Sequence, residues 1–247
     1  MQTWQKLLEV RKQRGAGYIV LIDPDKLSLK ENIKLARQAE KEDADCIFIG
    51  GSLLSVPIFD ELVKQIKNAV KIPVIIFPGG VQQITRYADA ILFMSVISGR
   101  NPDLLIGQHV MGAPIVKMFN LEAIPMGYML IESGKVTSAE FMSNTKPIPR
   151  DKPDIAVAHA LAAEYLGMKL VYLEAGSGAL HPVPDEMIQA VARMCSLPII
   201  VGGGIRTPEI AKQKVVAGAA FIVTGNILEK KNEKGTIQSF AQAIHQT

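Results

Sequence analysis

"LPIIVGGGIRTPEIAKQKVVAG", Leu197 to Gly218, is one complete structural unit. The run 197–204 is short, apolar on both faces and ends in three glycines. Strands packed on both sides, as in helix-covered parallel sheets, have this character. A turn follows, and Thr207 and Pro208 open a helix. Threonine is a good N-cap because its side-chain oxygen can accept from an exposed backbone N–H. Proline at the first helical position loses no helical hydrogen bond.

Outward from this stretch the same unit recurs along the chain. Strands are expected at 17–24, 44–51, 72–80, 88–98, 122–131, 169–176, 197–204 and 219–226. Helices fit between them at "LKENIKLARQAEKED", with Ile33, Leu35, Ala36 and Ala39 on one side, at "VPIFDELVKQIKNAV" and at "KPDIAVAHALAAEYLG". The last ends at Gly167, a good C-cap. Eight alternations imply an α/β fold, a (β/α)8 TIM barrel in one domain over 1–247. "GGVQQITRYADA" allows only about one turn, so the helix after the third strand is weak or missing. The polar stretch 131–154 lies where a barrel carries active-site loops. A doubly wound open sheet is the alternative, but its first strand would lead into a glycine-rich dinucleotide turn, and "DPDKLSLKE" is not one.

Composition agrees with a large buried core. Of 247 residues 48% are hydrophobic and only 6% aromatic, so Ile, Val, Leu, Met and Ala must fill it. A net charge of +3, with both signs spread along the chain, does not suggest nucleic acid. "MQTWQKLLEVRKQRG" is no signal peptide, and no apolar run would span a bilayer. Cys46 and Cys195 stand apart without CxxC spacing, as free buried thiols of a cytoplasmic protein would. The four histidines show no ligand spacing, so no zinc is assigned.

Three strand ends point to phosphate. The seventh strand ends in Gly202, Gly203 and Gly204, the eighth leads to Gly225 and Asn226, and the sixth to Ser177 and Gly178. Glycines let backbone N–H groups approach an anion, and the helix beginning at Thr207 adds its positive end. One such glycine turn means little; three at consecutive strand ends mark a phosphate site. Within "VYLEAGSG", Tyr172 and Glu174 share one face of the strand, and Val171 and Leu173 the other. If the first face is the barrel mouth, Glu174 can take a proton from a bound phosphate ester; otherwise it is paired with a lysine or with Tyr172. At the first strand end, Asp23 shares a face with Leu21. With Ser52 it offers hard oxygen ligands for Mg²⁺, while Asp25 reads as a turn or cap.

The ordered set "LIDPDK" (21–26), "IGGS" (49–52), "FPGG" (77–80), "YLEAGSG" (172–178), "VGGGIRTPEIA" (201–211) and "VTGN" (223–226) resembles one family over nearly the whole chain. That family is the geranylgeranylglyceryl phosphate synthases, with their bacterial heptaprenyl relatives; "SGRNPDLLIGQHV" (98–110) is similar to the larger archaeal and Bacteroidetes-type branch. The resemblance implies a prenyltransferase of phospholipid biosynthesis. It would join sn-glycerol 1-phosphate to a polyprenyl diphosphate through an ether bond, with Mg²⁺ as cofactor. It implies glycerol phosphate contacts at Tyr172, Leu173, Glu174, Ala175, Gly176, Ser177, Gly178, Gly203, Gly204, Gly225 and Asn226. It places Glu174 and Tyr172 at the catalytic centre, and magnesium at Asp23 and Ser52. One departure is Leu21, where smaller relatives have a lysine.

An apolar slot for the tail is expected opposite the glycines. It would be lined by Phe77, Phe93, Met94, Met118, Phe119, Met126 and Met129, with Gly79, Gly99 and Gly127 as gaps. Apolar helix faces near 99–120 would permit a homo-oligomer, and product release would bring transient membrane contact. The competing readings are a sugar-phosphate isomerase or aldolase on the same barrel, and a non-catalytic glycerol phosphate binding module.

Overall fold

The computed structural model describes residues 2–55, 58–230 and 235–245. Eight parallel strands close into a barrel in sequence order. They are β1 (Gly17–Ile22), β2 (Cys46–Ile49), β3 (Val74–Ile76), β4 (Ala90–Val96), β5 (Glu122–Leu130), β6 (Leu170–Glu174), β7 (Ile199–Gly202) and β8 (Phe221–Thr224). All eight expected strands are present, each shorter than the apolar run that announced it. The runs continue past the ladder because residues such as Asp23, Gly50, Phe77 and Gly203 turn over the barrel mouth.

The helices are α1 (Thr3–Arg14), α2 (Leu29–Lys41), α3 (Phe59–Ala69), α4 (Gln108–Met118), α5 (Ser138–Ser143), α6 (Pro153–Tyr165), α7 (Asp185–Met194), α8 (Pro208–Val216), α9 (Asn226–Lys230) and α10 (Thr236–His245). Thr207 caps α8 by accepting from Ile210 N, and Gly167 follows α6 at φ 79°. Residues 56 and 57, the expected start of α3, lie outside the described set. A single 3-10 turn, Val81–Gln83, stands after β3 where the helix is missing. A π turn, Asp103–Gly107, leads into α4. The stretch after β5 is tied rather than loose: Ile131 bridges to Ile148, and α5 lies between them.

Alternation sorts each strand into two layers. Ile19, Phe48, Ile75, Leu92, Tyr172 and Ile200 fill the barrel. Val20, Ile47, Ile76, Val171 and Ile222 face the helices. Trp4 and Leu7 of α1 close the bottom, Trp4 tilted on Phe221. Cys46 and Cys195 are buried and free.

Gly127 belongs to the outer layer and corrects the expected tail slot. A Cβ there would lie 2.8 Å from Ile97 Cδ1, 3.0 Å from Ala163 Cβ and 3.2 Å from Met168 Sδ. The glycine is the seat of α6, and no side chain enters without displacing that helix. Met126 and Met129 are fully buried core, Met118 is 70% exposed, and Phe119 lies under the Arg86 guanidinium. Gly99 is filled by Thr145. None of these lines an open channel.

Candidate active site

The C-terminal ends of β6, β7 and β8 form a cup. Ser177 Oγ donates to Asn226 Oδ1 at 2.7 Å and joins the first rim to the third. Gly176, Gly178, Gly203 and Gly204 all have φ between 71° and 97°, a conformation other residues adopt only under strain. The close approach also needs hydrogen at Cα. A Cβ on Gly203 would lie 2.4 Å from Glu174 Oε1 and 2.6 Å from Gly176 N. Successive N–H groups in such turns make a concave anion site. Leu173 and Ala175 sit in the helix-facing layer, fully buried, so only their main chain is near the cup.

Glu174 stands at the centre of this corner, 6% exposed. Its Oε1 accepts from Gly176 N at 2.6 Å. Burial raises its pKa to about 7; the Gly176 N–H and the neighbouring Tyr172 hydroxyl pull the other way without cancelling it. Tyr172 is fully buried, stacked on Phe77 at 5.4 Å and tilted on Tyr128 at 5.6 Å. Its hydroxyl lies over Gly202, where a Cβ would come within 2.2 Å of it, and forms no well-made hydrogen bond with any described residue. The two side chains share one face of β6 as alternation predicts, and that face is the inner one, the condition on which a base role for Glu174 depended.

A second corner lies at the ends of β1 and β2. The Asp23 carboxylate faces Gly51, where a Cβ would lie 3.2 Å from Oδ1. Oδ1 accepts from Asp25 N, and burial raises the Asp23 pKa. Ser52 is the next residue after Gly51, though no hydrogen bond joins it to Asp23 among the described residues. Asp25 accepts from Ser55 N and Oγ and so ties the β1 turn to the β2 loop, as a turn residue should. No three His, Cys, Asp or Glu residues cluster among those described. One carboxylate and one hydroxyl fit Mg²⁺, which keeps waters and shares phosphate oxygens, and do not fit a dedicated protein cage.

Gln83, a residue sequence reasoning passed over, organises this corner. It lies on the 3-10 turn and is fully buried. Its Nε2 donates to Gly51 O at 2.8 Å, and its Oε1 accepts from Gly51 N at 3.3 Å and Gly79 N at 3.1 Å. A buried amide with both ends satisfied ties the loop after β2 to the loop after β3. Its neighbours in "GGVQQIT" are unremarkable in pattern, so only its partners disclose it.

The missing helix leaves an apolar cleft over β3 and β4, roofed by the π turn and α4. Its enclosed volume is about 70 Å³, lined by Gly79, Val81, Ile84, Phe93, Met94 and Leu104, with His109 and Gly112 of α4. Phe93, Met94 and Gly79 of the expected slot are here; Phe77 is instead part of the aromatic layer under Glu174. His109 meets Phe93 edge-on at 4.6 Å and Ser95 Oγ at 3.3 Å. Burial lowers its pKa and favours the neutral ring. At the far end a Cβ on Gly112 would touch Ile84 Cδ1 at 3.0 Å, which makes that pair the floor.

A parallel barrel with glycine turns on β6 to β8, a buried carboxylate beside them and an apolar cleft opposite belongs among the phosphate-handling (β/α)8 barrels. The chain belongs to the PcrB family, whose model matches residues 8–244. It is 51% identical over 236 residues to the geranylgeranylglyceryl phosphate synthase of Chitinophaga pinensis, covering 95% of this chain and 93% of that one. To the Pyrococcus horikoshii enzyme of the same name it is 45% identical, covering 97% and 94%. A crystal structure of (S)-3-O-geranylgeranylglyceryl phosphate synthase from Thermoplasma acidophilum, in complex with its substrate sn-glycerol-1-phosphate, superposes with a TM-score of 0.95. It is 35% identical, and the match covers all of both chains.

Proposed function

We propose that the chain is a prenyltransferase that joins sn-glycerol 1-phosphate to geranylgeranyl diphosphate, or a prenyl diphosphate of similar length, and releases diphosphate. The observation that carries this reading is Glu174. It is a buried carboxylate with a pKa raised to about 7, wedged between the glycine turns that fit the phosphate. Relatives named geranylgeranylglyceryl phosphate synthase, matched along nearly their whole length, support it.

The cup holds the phosphate of glycerol phosphate with its main-chain N–H groups and points a free hydroxyl at Glu174. The prenyl tail lies in the cleft over β3 and β4, and the diphosphate lies between cleft and cup, at the Asp23 corner. Asp23 and Ser52 would hold Mg²⁺ there, which when bound offsets charge on the departing diphosphate. The hydroxyl oxygen bonds to C1 of the prenyl group, and the C1–O bond to diphosphate breaks with its electron pair on the leaving oxygen. Glu174 accepts the hydroxyl proton. The Gly176 N–H steadies that carboxylate, the neighbouring Tyr172 hydroxyl favours its ionised form, and the tied 131–152 segment shields the centre from water. Both substrates being held in line supplies much of the acceleration. The direct test incubates the protein with sn-glycerol 1-phosphate and prenyl diphosphates of several lengths, with and without EDTA, and weighs the product. Absence of an ether product under all conditions rejects the reading.

The aldolase alternative loses support, because it needs an interior Schiff-base lysine. The buried lysine among the described residues, Lys214, is on α8 and paired with Asp185. A binding module has no use for the carboxylate and the cleft together.

The Ile84–Gly112 floor sets the tail length. Ile84→Ala should admit longer prenyl diphosphates and leave the shortest unaffected, read as kcat/KM against chain length. Parallel changes at every length would place the tail elsewhere. The outer face of the 103–118 segment exposes Ile106, Val110, Met111 and Met118, and we assign it to self-association into a homo-oligomer. Light scattering should show more than one chain per particle; a monomer at micromolar concentration rejects that. No described helix is long and apolar enough to cross a membrane, so any membrane contact at product release would be peripheral.

A further inference from the structure

We infer that Lys135, on the segment between β5 and α5, is the cation of the phosphate cup. The inference rests on the cup holding a phosphate ester and names the charged group that recognises it. The β1 side of the cup is apolar: Leu21 backs Gly225, where a Cβ would meet Leu21 O at 3.2 Å and Leu21 Cβ at 3.4 Å. On the β6 side, the space over Gly178 is open except for one group. A Cβ there would have a single atom within 4 Å beyond its chain neighbours, Lys135 Nζ at 3.6 Å.

Arg206, a second cation near this rim, is committed. Arg206 donates to the carbonyls of Ala179 and Leu180 and so holds the loop rather than facing the cup. Lys135 has no ion pair or side-chain hydrogen bond among the described residues, yet its main chain is fastened in place. Ser133 Oγ donates to Lys135 O, and His181 N donates to Ser133 O. Arg150 donates to Glu132 O and Pro182 O, which binds the β5 and β6 loops together. Thr137 fills the place where Gly176 would carry a Cβ. A fastened main chain thus carries a flexible side chain, with its ammonium, to the edge of a nest of N–H groups.

Main-chain N–H groups bind a phosphate dianion without neutralising it, and an ammonium adds a charge-assisted hydrogen bond. A point charge on a flexible stem suits a ligand that must enter and leave from solvent. The fit is to the phosphate of the glycerol substrate, not to the diphosphate, whose place is at Asp23 across the barrel mouth.

The test is titration calorimetry of wild type, Lys135→Ala and Lys135→Arg with inorganic phosphate and with sn-glycerol 1-phosphate, at low and physiological salt, alongside steady-state kinetics. Lys135→Ala should weaken both ligands about tenfold. It should raise KM for glycerol phosphate equally, and leave kcat and KM for the prenyl diphosphate unchanged. Its binding should lose much of the salt dependence of the wild type, while Lys135→Arg restores most of the affinity. Thermal unfolding should not change, because the side chain is exposed. Wild-type phosphate affinity in Lys135→Ala overturns the inference, as does an equal rise in KM for the prenyl diphosphate. A wild-type chain that binds phosphate but forms no ether rejects the transfer reading alone and leaves the Lys135 comparison readable. A wild-type chain that binds neither ligand rejects both.

Discussion

Glu174→Gln should lower kcat by about 10²–10⁴ and leave the affinity for glycerol phosphate nearly intact. The amide keeps the shape that fits between Gly176 and Gly203 but cannot accept the hydroxyl proton. The pH profile separates this role from a structural one. The base works ionised, so wild-type kcat/KM should rise as pH rises through about 7 and level off above it. The variant should lose that limb. Stability runs in the opposite direction. Folding raises the Glu174 pKa from 4.5 to about 7, so the folded state holds the proton over the range where the unfolded chain has released it. That contribution is complete below the unfolded value and is lost as pH rises through the folded one. Glu174→Gln should therefore melt no lower than wild type at pH 8, and higher if the glutamine is accommodated. A near-wild-type kcat would make Glu174 a structural partner of Gly176 only.

Asp23→Asn should cost roughly a hundredfold or more in kcat/KM, since metal stabilisation of a leaving diphosphate is worth several kcal/mol. Folding should be unaffected, because the substitution removes charge and not volume. The asparagine oxygen can still accept from Asp25 N, so the turn should survive. Mg²⁺ titration followed by calorimetry in the presence of inorganic diphosphate gives a readout independent of turnover. Binding should weaken in the variant, and raised Mg²⁺ should recover part of the rate. Full wild-type activity in EDTA would remove magnesium from the mechanism and leave Asp23 as the anchor of the β1 turn.

Much of this architecture was legible because it follows from local rules. The alternation of apolar strand, glycine turn and capped helix needs only neighbours in the chain, as Thr207 capping α8 shows. Strand parity put Tyr172 and Glu174 on one face because side chains alternate whatever surrounds them, and closure of the barrel made that face the inner one. The glycines of β6, β7 and β8 could be assigned to one point because a parallel barrel brings consecutive strand ends together.

Parity says which face a residue takes but not what covers that face, and there only the tertiary structure decides. Gly127 reads as a gap; it is the seat of Ala163 and Met168, distant in sequence, so the tail cannot pass it. The cleft opens instead over β3 and β4, because the weak stretch 81–83 leaves that outer face without a helix. Gln83 fastens Gly51 to Gly79 through partners that no local pattern announces. Lys135 reaches the cup because hydrogen bonds between the β5 and β6 loops carry it there. By itself the sequence determined the barrel and the shared face of Tyr172 and Glu174, both products of short-range periodicity. The position of the cleft and the source of positive charge at the cup depend on contacts between distant segments, which exist only once the chain has closed on itself.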